Sequence, residues 1–161
     1  MKPPAGRKEA GLEDRCRAAQ IMNNLSDVVS RGPGSQSLAQ AEAWARQARG
    51  VVDKTRTLPV AGRDPDAMAL CEQTLAAVLF NLGALLEVRT AFPLGTSLEE
   101  DSVDMCRVQM SGKAEEARKA FEESLEQAKR IGMRAGAMEA RGALRRLDRA
   151  RQGGGGQGTG P

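Results

Sequence analysis

Histidine and tyrosine are missing from this chain of 161 residues, and the aromatic set is down to three Phe and one Trp: Trp44, Phe80, Phe92 and Phe121. Without histidine there is no Ser-His-Asp triad, no imidazole general base and no His-liganded zinc. Cysteine is scarce too. Cys16, Cys71 and Cys106 are odd in number, far apart and without CxxC spacing, which points to a reduced compartment or to simple burial. The longest apolar run, Leu75 to Leu86, is broken by Asn81 and Gly83. It falls short of the roughly 18 residues of a membrane span, so no transmembrane segment is expected. The opening MKPPAGRKEAGLEDR has no apolar signal core and carries acids early, so the chain as given reads as soluble with no targeting signal.

Apolar residues still make up 40% of the chain, and with so few aromatics they are mostly Ala, Leu, Val and Met. That is the composition of packed helices. The net charge of +3 comes from 24 basic and 21 acidic residues, and the basic excess gathers near the end, at Arg134, Arg141, Arg145, Arg146, Arg149 and Arg151. Such a stripe could meet phosphate or a membrane surface. No aromatic interleaves it to stack on bases, and long arginine side chains commonly solvate a terminal helix, so no nucleic acid partner is expected.

Turn residues divide the chain. Cys16, Ala19, Met22, Leu25 and Val29 repeat at helical steps and stop at Arg31-Gly32-Pro33-Gly34-Ser35; Leu38, Ala41, Ala45, Ala48 and Val52 form a second stripe that ends before Leu58-Pro59. Residues 10–57 are therefore expected to form a helical hairpin, after a disordered lead over 1–9 and before a linker over 58–65. A third helix is expected over Asp66 to Glu87 and a fourth over Lys113 to Arg130, together a second hairpin within 66–133. A fifth, within 134–151, offers Ala140, Ala143, Leu144 and Leu147 as a cap. The Gly-rich tail, 152–161, lacks the Lys-Ser/Thr step of a phosphate loop and reads as flexible chain.

The segment Leu79-x-x-Leu82-Gly83-x-x-Leu86 has the spacing of the first helix of a tetratricopeptide repeat, and Ala117-x-x-x-Phe121 that of the second. Gly83 would let the paired helix approach closely. Such repeats place about 12 residues between those two small positions; here Gly83 and Ala117 are 34 apart, an excess of 22 residues. The surplus is VRTAFPLGTSLEEDSVDMCRVQ, Val88 to Gln109, which shows no helical stripe and is expected to be a loop inserted at the helix turn, without an ordered site. A valine codon begins GT and a glutamine codon can be CAG, so the segment also has the boundaries of an in-frame retained intron. Sequencing cDNA across Glu87 to Met110 decides between the two. The first hairpin repeats the pattern more loosely, with Met22-x-x-Leu25-Ser26-x-x-Val29 followed by Ala41-x-x-x-Ala45-x-x-Ala48. The expected architecture is all-α: tetratricopeptide-type helical hairpins stacked as an α-α superhelix, closed by a C-terminal capping helix.

The strings CRAAQIMNNLSDVVSRG, LAQAEAWARQARGVVDKT, LCEQTLAAVLFNLGALLE and GKAEEARKAFEESLEQAKRIGMRAGAMEARGALRRL resemble the C-terminal part of fungal mitochondrial tetratricopeptide proteins similar to the adaptor subunit of the inner-membrane i-AAA protease. The resemblance covers roughly residues 14–148 apart from 88–109. It implies a mitochondrial location and a role in protein quality control: binding client proteins and presenting them to a membrane AAA protease. Family members carry an upstream membrane anchor and further repeats; the sequence as given departs from that pattern in that no anchor is expected within it.

The groove-facing candidates are Asn23, Asn24 and Asp27 in the first repeat and Ala77, Phe80, Asn81, Ala84 and Glu87 in the second. Asn24 and Asn81 each precede the motif leucine, where an amide can bond both N–H and C=O of an extended peptide. Phe80 and Ala84 stand where a carboxylate clamp for chaperone tails needs Lys and Asn, so an apolar peptide suits the groove better. No catalytic set emerges. Acids in the fourth helix pair with bases a turn away, Glu115 with Lys119 and Glu126 with Arg130. The expected function is thus a non-enzymatic protein-interaction module without cofactor or metal. A structural scaffold subunit with no client-binding role is the alternative, and a membrane or RNA associate acting through the basic helix is a third reading.

Overall fold

The computed structural model describes residues 11–33, 35–58, 64–91 and 100–153, with side chains left out at 35, 91, 100–111 and 153. Five α-helices fill these stretches: α1 (Leu12–Ser30), α2 (Ser35–Arg56), α3 (Pro65–Ala91), α4 (Glu100–Arg130) and α5 (Arg134–Gly153). The chain is all-α, as its composition implies. The lead expected to be disordered, most of the 58–65 linker, the middle of the 88–109 segment and the Gly-rich tail lie outside the described residues.

Local chemistry explains where the helices begin and end. Asp64 caps α3, its Oδ1 accepting the Ala67 N–H at 2.9 Å, and Pro65 takes the first helical position, where a missing N–H costs nothing. At the end of α4, Gly132 adopts φ 73°, Met133 N bonds Ala128 O at 2.8 Å and Gly132 N bonds Lys129 O at 3.1 Å. This is a Schellman turn, and glycine supplies its left-handed residue without steric cost.

The helices pack α1 on α2, α3 on α4 and α4 on α5, and α3 touches all four others. Asn81 Nδ2 donates to Asn23 Oδ1 at 3.1 Å and Arg146 pairs with Glu87, so α1, α3 and α5 lie side by side. Behind them α2 and α4 are joined by Arg46–Glu116 and Arg49–Glu123 at 3.0 and 2.7 Å. One core cluster joins Cys16, Ala19, Ala48, Val52, Leu75 and Val78; the next joins Ala41, Ala45, Leu82, Leu86, Phe121 and Ala143. By length and composition Pro65–Thr90 could cross a membrane, although its sequence is interrupted; in the fold more than half of its most apolar window is buried, as befits the central helix.

The first and second hairpins use matching positions alike at their closest approach. A Cβ on Gly83 would stand 2.8 Å from the Phe121 ring, and Ser26, fully buried at the corresponding place in α1, donates Oγ to Ala41 O at 2.8 Å. On the outer side they differ. Val78, Leu82 and Leu85 are buried, whereas their counterparts Ile21, Leu25 and Val28 are exposed, because among the described residues no helix covers that side of α1.

Two expectations are corrected. The 88–109 segment is not a loop at its ends: Val88 to Ala91 complete α3, and α4 begins at Glu100, well before Lys113. Arg89 is anchored by Glu42 on α2. The residues lack a stripe but find a tertiary partner. The cysteines are not all free either: Cys16 and Cys71 form a disulfide between α1 and α3, with Cα atoms 5.2 Å apart and 55 residues between them in sequence. Helix packing brings together what spacing along the chain cannot.

Candidate functional site

Where α1 meets α3, Ser26, Asp27 and Ser30 face Asn81, Ala84, Leu85 and Val88, with Leu38 of α2 at the base. The groove encloses about 150 Å³. That is below the roughly 300 Å³ at which small-molecule sites begin, and enough for a side chain of a bound peptide. Its polar groups are partly engaged. Arg31 pairs with Asp27 at 2.6 Å, Ser30 Oγ donates to Asp27 O at 2.7 Å, and Asn81 Nδ2 is held by Asn23. Asn81 lines the groove, and among the described residues its Oδ1 accepts no hydrogen bond.

On the other flank of α3, Ala76, Ala77, Phe80 and Asn81 face Met133, Gly136 and Glu139 across a recess of about 250 Å³. Asn81 borders both cavities. Phe80 is half-buried, its ring 5.5 Å from that of Phe121 and tilted by 59°, so it serves the core and the recess together.

The expected residues thus divide. Asp27, Asn81 and Ala84 meet in one groove; Phe80 joins Asn81 in the neighbouring recess. Glu87 accepts from Arg146 Nε and Nη2 at 3.1 and 3.0 Å. Asn24 is exposed and borders neither cavity. One residue is a turn of about 100° on a helix, and it is Asn23 that reaches Asn81. Ser26, Ser30, Leu38, Leu85 and Val88 line the groove without being expected there, Val88 from the segment expected to hold no ordered site; Ser26 lies three residues after Asn23 and Ser30 three after Asp27, on one face of α1.

No family model, curated protein or solved structure matches the chain.

The densest charge cluster lies at the α2–α3–α4 junction. Glu42, nearly buried, receives Arg46 at 2.9 Å, Lys113 at 3.4 Å and a short contact from Arg89. Burial pushes its carboxyl up, but the hydrogen bonds from Arg46 and Arg89 and the charge of Lys113 outweigh this and hold it below its ordinary value. A second carboxylate, Glu72, gathers Arg56, Arg130 and Gln127 at a cleft of about 440 Å³ on the α2–α4 side. Arg130 therefore leaves Glu126, its expected partner, to Lys129. Both clusters tie helices together, and their charges are spent on one another. Among the described residues no three His, Cys, Asp or Glu side chains are placed to hold a metal ion.

Proposed function

We propose that this chain is a non-enzymatic protein-interaction module of tetratricopeptide type, with the α1–α3 groove as its peptide-receiving surface. The observation that carries this reading is the groove itself: apolar Leu38, Ala84, Leu85 and Val88 line it together with the amide-bearing Asn81. That combination suits an extended segment whose backbone N–H reaches Asn81 while an apolar side chain enters the floor. Repeat spacing around Gly83 and Phe121, and the equivalent close approach at Ser26, support the tetratricopeptide reading. The finer assignment, a mitochondrial adaptor that presents clients to a membrane AAA protease, rests on the sequence resemblance.

The test of the groove uses a reduced, carboxymethylated unfolded protein as probe, with binding followed by fluorescence anisotropy. Ala84→Arg, which fills the floor, is expected to weaken binding about tenfold with folding intact. Wild-type affinity in that variant would sink the assignment. For the adaptor role, affinity capture from fungal mitochondria should recover the i-AAA protease with several clients. A single stoichiometric partner without clients would favour the scaffold reading.

A further inference from the structure

We propose that the outward face of α5 docks on an anionic lipid bilayer, a role separate from the peptide groove. Arg134, Arg141, Arg145 and Arg149 recur at helical spacing along α5, all exposed, on the side opposite Ala140 and Ala143, which are fully buried. They span about 22 Å of helix. Nearly every other arginine with a described side chain finds a carboxylate, among them Arg46, Arg49, Arg56, Arg89, Arg118, Arg130 and Arg146. The four on the stripe find none among the described residues. Of the two acids of α5, Asp148 is held by Arg118 and Glu139 borders the recess against α3, away from the stripe.

A second feature gives the stripe its chemistry. Met138 lies in line with the arginines and is 72% exposed. It borders a recess of about 450 Å³ with Ala128, Met133 and Ala137 as apolar walls and Arg134 and Arg141 beside it; Lys129, which also lines it, is paired with Glu126. Cations around an apolar hollow match an anionic amphiphile: phosphate at the rim, hydrocarbon against the methionines. Nucleic acid would want amide or hydroxyl groups or aromatic faces between the bases, and the residues between these arginines are Met138 and Gly142. The bilayer is therefore favoured, with each arginine contributing to attraction by a negatively charged leaflet.

The experiment is co-sedimentation of the full chain with vesicles of phosphatidylcholine alone and of phosphatidylcholine with phosphatidylserine, at low and high salt, beside anisotropy with a duplex and a single-stranded RNA. Wild type should bind the anionic vesicles selectively and release them at high salt. Changing the four arginines together to Glu should lower partitioning by at least about 100-fold, while the four Arg→Lys changes retain most of it. Met138→Asp should lower it about tenfold while leaving most of the salt dependence in place. All these positions are exposed, and circular dichroism checks that each variant keeps its helices. Equal binding to neutral vesicles, undiminished binding of the Glu variant, or RNA binding tighter than vesicle binding would each overturn the proposal.

Discussion

Gly83 meets Phe121 so closely that even a methyl group has no room, since the ring is itself fully buried. Alanine there would gain up to about 1 kcal/mol of helix propensity but must displace the ring, at about 1–3 kcal/mol. A net loss is expected for Gly83→Ala, read as a lower midpoint of urea unfolding. At Gly142, where nothing stands within 4 Å, the same change should stabilise. Glu42 gives a prediction in pH. Its folded carboxyl ionises below the ordinary value, so the stability it adds is fully present above the unfolded value of about 4.3 and is lost as pH falls through the folded one. Glu42→Gln should therefore cost about 1–3 kcal/mol at neutral pH, discounted for the half-exposed Arg46, and show a flatter decline of stability into acid. Equal acid sensitivity of variant and wild type would refute this.

At the scale of elements, α1 and α3 share a motif but not an environment. Leu82 is 3% exposed and Leu25, its counterpart, 40%. Leu82→Ala should cost about 2–5 kcal/mol and Leu25→Ala under about 1 kcal/mol. Thermal unfolding of both variants measures the difference. The same contrast shows what could be seen in the chain beforehand. Helix limits at Arg31 to Ser35, Asp64-Pro65 and Gly132 were legible because caps and turns are local chemistry. Val88 to Ala91 were not, since a β-branched, charged stretch is kept helical by a partner, Glu42, that lies 47 residues from Arg89. The groove was half legible: Asp27, Asn81 and Ala84, named by their place in the repeat, line one groove, and of Asn23 and Asn24, both named in the first helix, it is Asn23 that bonds Asn81 while Asn24 is exposed. Ala84, a small residue in an apolar run, was picked out by its place in the repeat, and Leu38 could not be, because it reaches the groove from a different helix.

For the molecule as a whole, the two ends of the stack differ in kind. Exposed Ile21, Leu25 and Val28 mark the α1 end, and unpaired arginines mark the α5 end. The cores between them run continuously along α3, so the hairpins should unfold together; a single transition by both circular dichroism and Trp44 fluorescence is the expected result. Two separated transitions would show that each hairpin is stable alone.

The bridge between Cys16 and Cys71 turns that stretch of chain into a closed ring holding α1, α2 and the start of α3. A protease that cuts once inside the ring leaves one covalent molecule; a cut between α4 and α5 releases a fragment. On a gel without reductant the first nick is invisible and the second is not. With reductant both appear, which makes the pattern of bands a map of which hairpin opens first.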